Sequence, residues 1–100
     1  MEYKVIWSPN AIKCVHKIGL DIVRLDSVIN AEKVISKIEK KVASLSSFPE
    51  SGRMVPEFPG ENLREVFVVK KRIIYEIIGK SVNIVAIHDG RKVLFGLDSE

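Results

Sequence analysis

Arg72, His88 and Arg91 are the residues of this 100-residue chain whose types and spacing best suit charge and proton chemistry. Each stands at the edge of an apolar run of β type. The runs are Asn62-Leu63-Arg64-Glu65-Val66-Phe67-Val68, Arg72-Ile73-Ile74-Tyr75-Glu76-Ile77 and Ile87-His88-Asp89-Gly90-Arg91-Lys92. A guanidinium held at a strand end offers a phosphate a planar pair of donors and keeps its charge at neutral pH. His88 lies three residues before Arg91, and an imidazole changes charge near neutrality, so it can move a proton. Glu57, in the preceding loop, is a candidate general base. Arg64 on the earlier strand, Lys70, Lys71 and Lys92 supply further cationic groups for a phosphate backbone. The same residues also admit a structural reading, in which Arg72 pairs with Glu65 or Glu76 across a sheet and Lys70-Lys71 is a solvated turn. The residues alone leave both readings open.

Other chemistries fit less well. Two histidines and one cysteine do not make a recognisable metal-ligand set, and no Gly-rich phosphate loop or dinucleotide fingerprint follows a strand. Cys14 and His16 stand two residues apart on a predicted helix, and such positions face different ways. No metal and no cofactor are expected.

The elements that must position these groups are readable from periodicity. Tyr3 to Trp7 reads as a short first strand. Ser8-Pro9 is a strong helix start, with Ser8 as cap and Pro9 at a position that needs no N–H. Ile12, Val15, Ile18 or Gly19, and Ile22 then recur at helical spacing, with Gly19 expected to let a neighbouring helix approach. Asp26-Ser27 offers a second cap, followed by the apolar stripe Ala31, Val34, Ile35, Ile38, Val42 and Leu45. Glu32, Lys33, Lys37, Glu39, Lys40 and Lys41 lie on the solvated side. The short break between the two predicts an antiparallel helical hairpin.

Pro49 ends the second helix, and Gly52 suits a left-handed turn. A loop rich in Pro and Gly occupies residues 54–61. Three strands follow at about residues 63–69, 72–78 and 82–88, joined at Lys70-Lys71 and Gly79-Lys80-Ser81. The last two are apolar at nearly every position, which marks them as central. The expected fold is α+β, order β-α-α-β-β-β, with a helical hairpin packed on a small twisted antiparallel sheet.

One hundred residues make one domain, spanning 1–100. A 46% hydrophobic fraction is that of a filled globular core. Sixteen Lys and Arg against thirteen Asp and Glu give a net charge of +3, a mild excess compatible with a polyanion or an acidic partner. A single cysteine allows no internal disulfide and suits a reducing compartment. The N-terminal residues lack the apolar core of a signal peptide, and no apolar run reaches the ~20 residues of a membrane span. The expectation is a cytoplasmic protein with no membrane partner.

Five segments, in order over nearly the whole chain, resemble toxins of the RelE/ParE superfamily: Val5-Ile6-Trp7-Ser8-Pro9-Asn10-Ala11, Leu45-Ser46-Ser47-Phe48-Pro49-Glu50-Ser51-Gly52-Arg53, Asn62-Leu63-Arg64-Glu65, Arg72-Ile73-Ile74-Tyr75 and His88-Asp89-Gly90-Arg91. The resemblance implies the fold derived above and the toxic half of a type II toxin–antitoxin (plasmid stabilisation) module, with a cognate antitoxin as partner. One branch of that superfamily cleaves mRNA on the ribosome without a metal. As such an endoribonuclease (mRNA interferase), this chain would use Glu57 as base, Arg72 as transition-state clamp, Arg91 as second phosphate contact and His88 as acid. Phe95 would stack on a base. The other branch inhibits DNA gyrase. The chain departs from the strongest nucleases, with Phe95 as the one aromatic after Arg91 and Leu63 and Glu65 near positions where some members carry lysines. The wording of the 48–53 linker and of Asn62-Leu63-Arg64-Glu65 is closer to the gyrase-directed branch, where Arg64 and Glu65 would fix the linker to the sheet. The resemblance thus implies ribosome-dependent mRNA cleavage first, with gyrase inhibition or a catalytically decayed RNA- or antitoxin-binding module as alternatives.

Overall fold

The computed structural model describes residues 2–90. Strand β1 (Lys4–Trp7) leads into helix α1 (Pro9–Leu25), and helix α2 (Val28–Ser44) follows after a short break. Both caps act as the sequence indicates. The Ser8 Oγ accepts the Ala11 N–H at 3.0 Å and the Ser27 Oγ accepts the Asn30 N–H at 3.0 Å. Gly19 is the point of close helix approach, because a Cβ there would stand 2.8 Å from Ile35 Cδ1.

Four further strands follow among the described residues: β2 (Arg53–Met54), β3 (Arg64–Val68), β4 (Lys71–Ile78) and β5 (Ser81–Asp89). With β1 they form one five-stranded sheet in the order β1-β5-β4-β3-β2. The expected order of helices and strands is present, with two refinements. β1 pairs with β5 in parallel, so the sheet is mixed. Two-residue turns force antiparallel pairing on β3, β4 and β5, whereas β1 reaches β5 only through the rest of the chain, and no turn fixes its direction. The other refinement is β2, which pairs with β3. Two residues are too few to leave a periodic signal.

The β3–β4 turn lies at Val69-Lys70, one residue earlier than the sequence suggests, with φ of 45° and 65°. Positive φ at both positions is the hairpin geometry that matches strand twist, usually met by Asn-Gly. A β-branched residue there is strained. The Gly90 N–H donates to the Lys70 carbonyl at 2.8 Å and braces this turn.

On one face of the sheet the helices bury a continuous apolar core. Ala11, Ile38, Val42 and Leu45 pack with Val66, Ile73, Tyr75, Val82, Ile84 and Ile87. A bulge at Val85 shifts the β4–β5 register, with Ile74 opposite Ala86 and Tyr75 opposite Ile84. The Val85 carbonyl accepts from Ser8 Oγ at 3.0 Å and Asn10 Nδ2 at 3.2 Å. The Ser8-Pro9-Asn10-Ala11 motif therefore caps α1 and docks it on the bulge at once. No helix among the described residues is long and apolar enough to cross a membrane.

Candidate functional site

The face of the sheet away from the helices carries the charged groups. Strand alternation places Glu65 on it opposite Ile74, and Arg72 between Phe67 of β3 and His88 of β5. Arg53 of β2 stands opposite Glu65. Over this face runs the connector between β2 and β3. Its ends close where the Val55 N–H meets the Leu63 carbonyl at 3.0 Å. Val55 and Leu63 pack on Ile74, with Phe58 and Val85 at the margin. This small apolar patch brings Glu57 down onto Arg72.

The result is a chain of ion pairs. Arg72 Nη1 and Nη2 donate to the two carboxylate oxygens of Glu57, each at 2.8 Å. Its Nε donates to Glu65 Oε1 at 2.7 Å, and Nη2 lies 2.6 Å from the same oxygen. The other Glu65 oxygen accepts from Arg53 Nε at 2.6 Å. The side chains of Arg72 and Glu65 are 5% and 0% exposed, against 19% for Glu57 and 61% for Arg53. Glu57, then burial opposed by Glu65, sets the Arg72 guanidinium, and the net effect drives its already high pKa further up. Arg53 also lies 5.3 Å from the centre of the Phe67 ring, within cation–π reach.

A second polar cluster ties down the linker between α2 and β2. The Tyr75 hydroxyl donates to the Pro49 carbonyl at 2.7 Å and accepts the Gly52 N–H at 2.9 Å. Burial raises the phenol above its ordinary pKa, partly offset by the Gly52 N–H. Arg64 Nη1 reaches the Gly52 carbonyl at 2.9 Å. Gly52 itself does not have positive φ, in contrast to the left-handed turn the sequence suggests. Space is what requires glycine: a Cβ would lie 2.6 Å from the Glu65 carbonyl oxygen and 2.6 Å from the Tyr75 hydroxyl.

Of the residues expected at a phosphate site, the structure brings Glu57 and Arg72 into contact and sets His88 opposite Arg72 in the ladder. Arg64 points to the linker carbonyls. Lys70 lies exposed on the β3–β4 turn, and Lys71 lines a small cleft of about 180 Å³ with Cys14, Lys17 and His88. Arg91, Lys92 and Phe95 lie outside the described residues. Arg53 and Tyr75 take parts that no local pattern assigns. Glu65 carries a signal, since a charged residue inside an apolar strand must find a partner when buried. Among the described residues no group of three or more His, Cys, Asp or Glu is placed to hold a metal ion.

An apolar groove of about 640 Å³ lies between the two helices, lined by Ile12, Leu20, Val23, Val28 and Ile35 among others. Ile12, Leu20 and Val28 are each more than half exposed.

Residues 5–94 match the family described as the ParE toxin of the type II toxin–antitoxin system, parDE. A comparison with curated protein sequences gives no match. Among solved structures, the chain is similar to one in the chromosomal ParDE toxin–antitoxin system from P. aeruginosa. The TM-score is 0.77 at 19% identity, over 88% of this chain and 96% of that one. It is also similar to a chain of the RelBE2 toxin–antitoxin complex from Mycobacterium tuberculosis. There the TM-score is 0.66 at 16% identity, over 89% and 99%. At these identities the likeness is one of fold.

Proposed function

We propose that this chain, which belongs to the family of ParE toxins of type II toxin–antitoxin systems, acts by binding a protein target, DNA gyrase, and is held in check by a cognate antitoxin. One observation carries the reading: the Arg72 guanidinium is engaged by two carboxylates, Glu57 and Glu65. Metal-free RNA cleavage needs cationic donors aimed at the charge that develops on phosphorus. Among the described residues, the guanidinium groups of Arg53 and Arg72 are paired with the carboxylates of Glu57 and Glu65, and the fork of Arg72 faces a carboxylate. The exposed apolar groove between the helices supports a protein partner, since contiguous apolar surface of this kind marks interaction sites.

The second reading is ribosome-dependent mRNA cleavage by Glu57, Arg72, His88 and Arg91. The meeting of Glu57, Arg72 and His88 on one sheet face supports it. It requires Glu57 to release Arg72 before acting as a base. The test is induction of the chain without antitoxin, with mRNA 5′ ends mapped and gyrase supercoiling assayed on the purified protein. Blocked supercoiling with intact mRNA is expected. Codon-phased cuts with normal supercoiling would overturn the gyrase reading, and loss of toxicity altogether would indicate a binding module alone.

A further inference from the structure

We propose that the Glu57 carboxylate is an internal stand-in for a phosphate, and that an external phosphate displaces it from Arg72 and releases the connector from the sheet. The inference is independent of which target the toxin has, because a phosphate bound in this way is not thereby cut.

The geometry distinguishes the two carboxylates on Arg72. Glu65 sits on β3, is fully buried and holds the Nε edge while also bonding Arg53. It belongs to the frame. Glu57 sits on the connector, is partly exposed, and takes the outer fork of Nη1 and Nη2 in two parallel bonds. Two parallel N–H donors are the arrangement by which arginine binds phosphate as well as carboxylate. The ligand's oxygens would replace those of Glu57 one for one, while Glu65 keeps Arg72 aimed outward.

The connector is built to yield. The hydrogen bonds between its backbone groups are local ones: Val55 to Leu63, Phe58 to Val55 at 3.3 Å and Glu61 to Phe58 at 3.2 Å. None of these joins it to the strand beneath it. Its grip on the face includes Val55, Phe58 and Leu63, the Glu57 ion pair, and, at its far end, Asn62 Nδ2, which donates to the Ile77 carbonyl of β4 at 3.1 Å. With Glu57 displaced, Arg72 keeps Glu65 on its Nε edge and turns its outer fork to the ligand, and the exposed Arg53 lies on the same face for a second phosphate contact. The occupant is an oxyanion of phosphate type, carried by RNA, by DNA or free.

The test uses the full chain as wild type, Glu57→Ala and Glu57→Gln, with three probes: a short single-stranded RNA, a DNA of the same sequence, and inorganic phosphate. Removing the internal competitor should tighten oligonucleotide binding about tenfold in both variants, with steeper salt dependence. Inorganic phosphate should raise the Tm of the variants more than that of wild type. Tightening for all three probes identifies phosphate itself as the ligand, and tightening for one oligonucleotide alone identifies its source. In wild type, saturating phosphate should speed amide hydrogen exchange in residues 55–63 and leave β4 unchanged. This measurement decides the matter if the alanine variant does not fold. Equal affinities in wild type and a folded Glu57 variant, or connector exchange that phosphate leaves unaltered, would overturn the proposal.

Discussion

The two faces of the sheet are closed by opposite means. Two amphipathic helices cover one face with apolar side chains packed on Val66 of β3, Ile73 and Tyr75 of β4, and Val82, Ile84 and Ile87 of β5. A connector of a few residues covers the other, held by a small apolar patch and by ion pairs running from Arg53 through Glu65 and Arg72 to Glu57. The apolar face gains from area removed from water and is tolerant of how that area is made up. The charged face gains only when its buried members, Glu65 and Arg72, are paired, because burying a charge carries a large desolvation cost. The first face can therefore be degraded gradually, and the second fails when one of its buried members goes.

The largest expected effect tests that difference. Glu65→Ala leaves Arg72 with one carboxylate in place of two and frees Arg53, and should lower stability by about 3 kcal/mol. Ile73→Ala on the helical face, where the side chain is fully buried, should cost about 2–5 kcal/mol through lost burial and a cavity. Chemical denaturation alone would score the two alike. The double change Glu65→Met with Arg72→Met separates them, since apolar residues of similar size remove the desolvation cost along with the pair. It should regain most of the loss. If the double variant is no better than Glu65→Ala, the charged face is not an ion-pair device and the contrast fails.

A somewhat smaller loss is expected where the linker crosses β3 and β4. Gly52→Ala must push its Cβ into the Glu65 carbonyl and the Tyr75 hydroxyl. Neither can move freely, one being strand backbone and the other a buried ring end. The expected cost is about 2–3 kcal/mol, read as a fall in denaturation midpoint with unchanged m-value. The helical counterpart, Gly19→Ala, meets the Ile35 side chain alone, most closely at its terminal carbon, which can rotate away, and alanine is the better helix former. A smaller effect there is the sign that crowding on the two faces differs in kind.

These contrasts also mark what the sequence makes legible. The helical hairpin follows from cap residues and one apolar stripe per helix, which are local signals that tertiary contacts here reinforce. The central place of β4 and β5 follows from their unbroken apolar runs. The direction of β1 and the existence of β2 do not, because pairing partners distant in the chain leave no mark in a strand of two to four residues. At the site, Arg72 and Glu57 stand out by residue type, and the structure brings them together on one sheet face. Their mutual engagement is not visible, since it depends on where the connector folds back. Gly52 shows the same limit: glycine in sequence suggests backbone freedom, and only the packed neighbours reveal that the missing Cβ is what counts.

The smallest effect concerns Tyr75, the side chain that belongs to both faces. Its ring is wholly buried in the helix-side core, while its hydroxyl bridges the Pro49 carbonyl and the Gly52 N–H at the linker. Tyr75→Phe keeps the ring and leaves both linker groups without their bridge, at a cost of about 1–2 kcal/mol. The phenol's pKa is raised by burial, so the folded state holds the proton more tightly than the unfolded chain. That contribution is fully present below the unfolded value of about 10, and is lost as pH rises through the higher folded value. Wild type should therefore lose its advantage over Tyr75→Phe as pH climbs above about 10, while the gap stays constant from neutral pH up to that point. Denaturation curves for the pair across that range give the answer. A gap that is constant through high pH would mean that the hydroxyl ionises without disturbing the linker, and that the two faces are not joined through this residue.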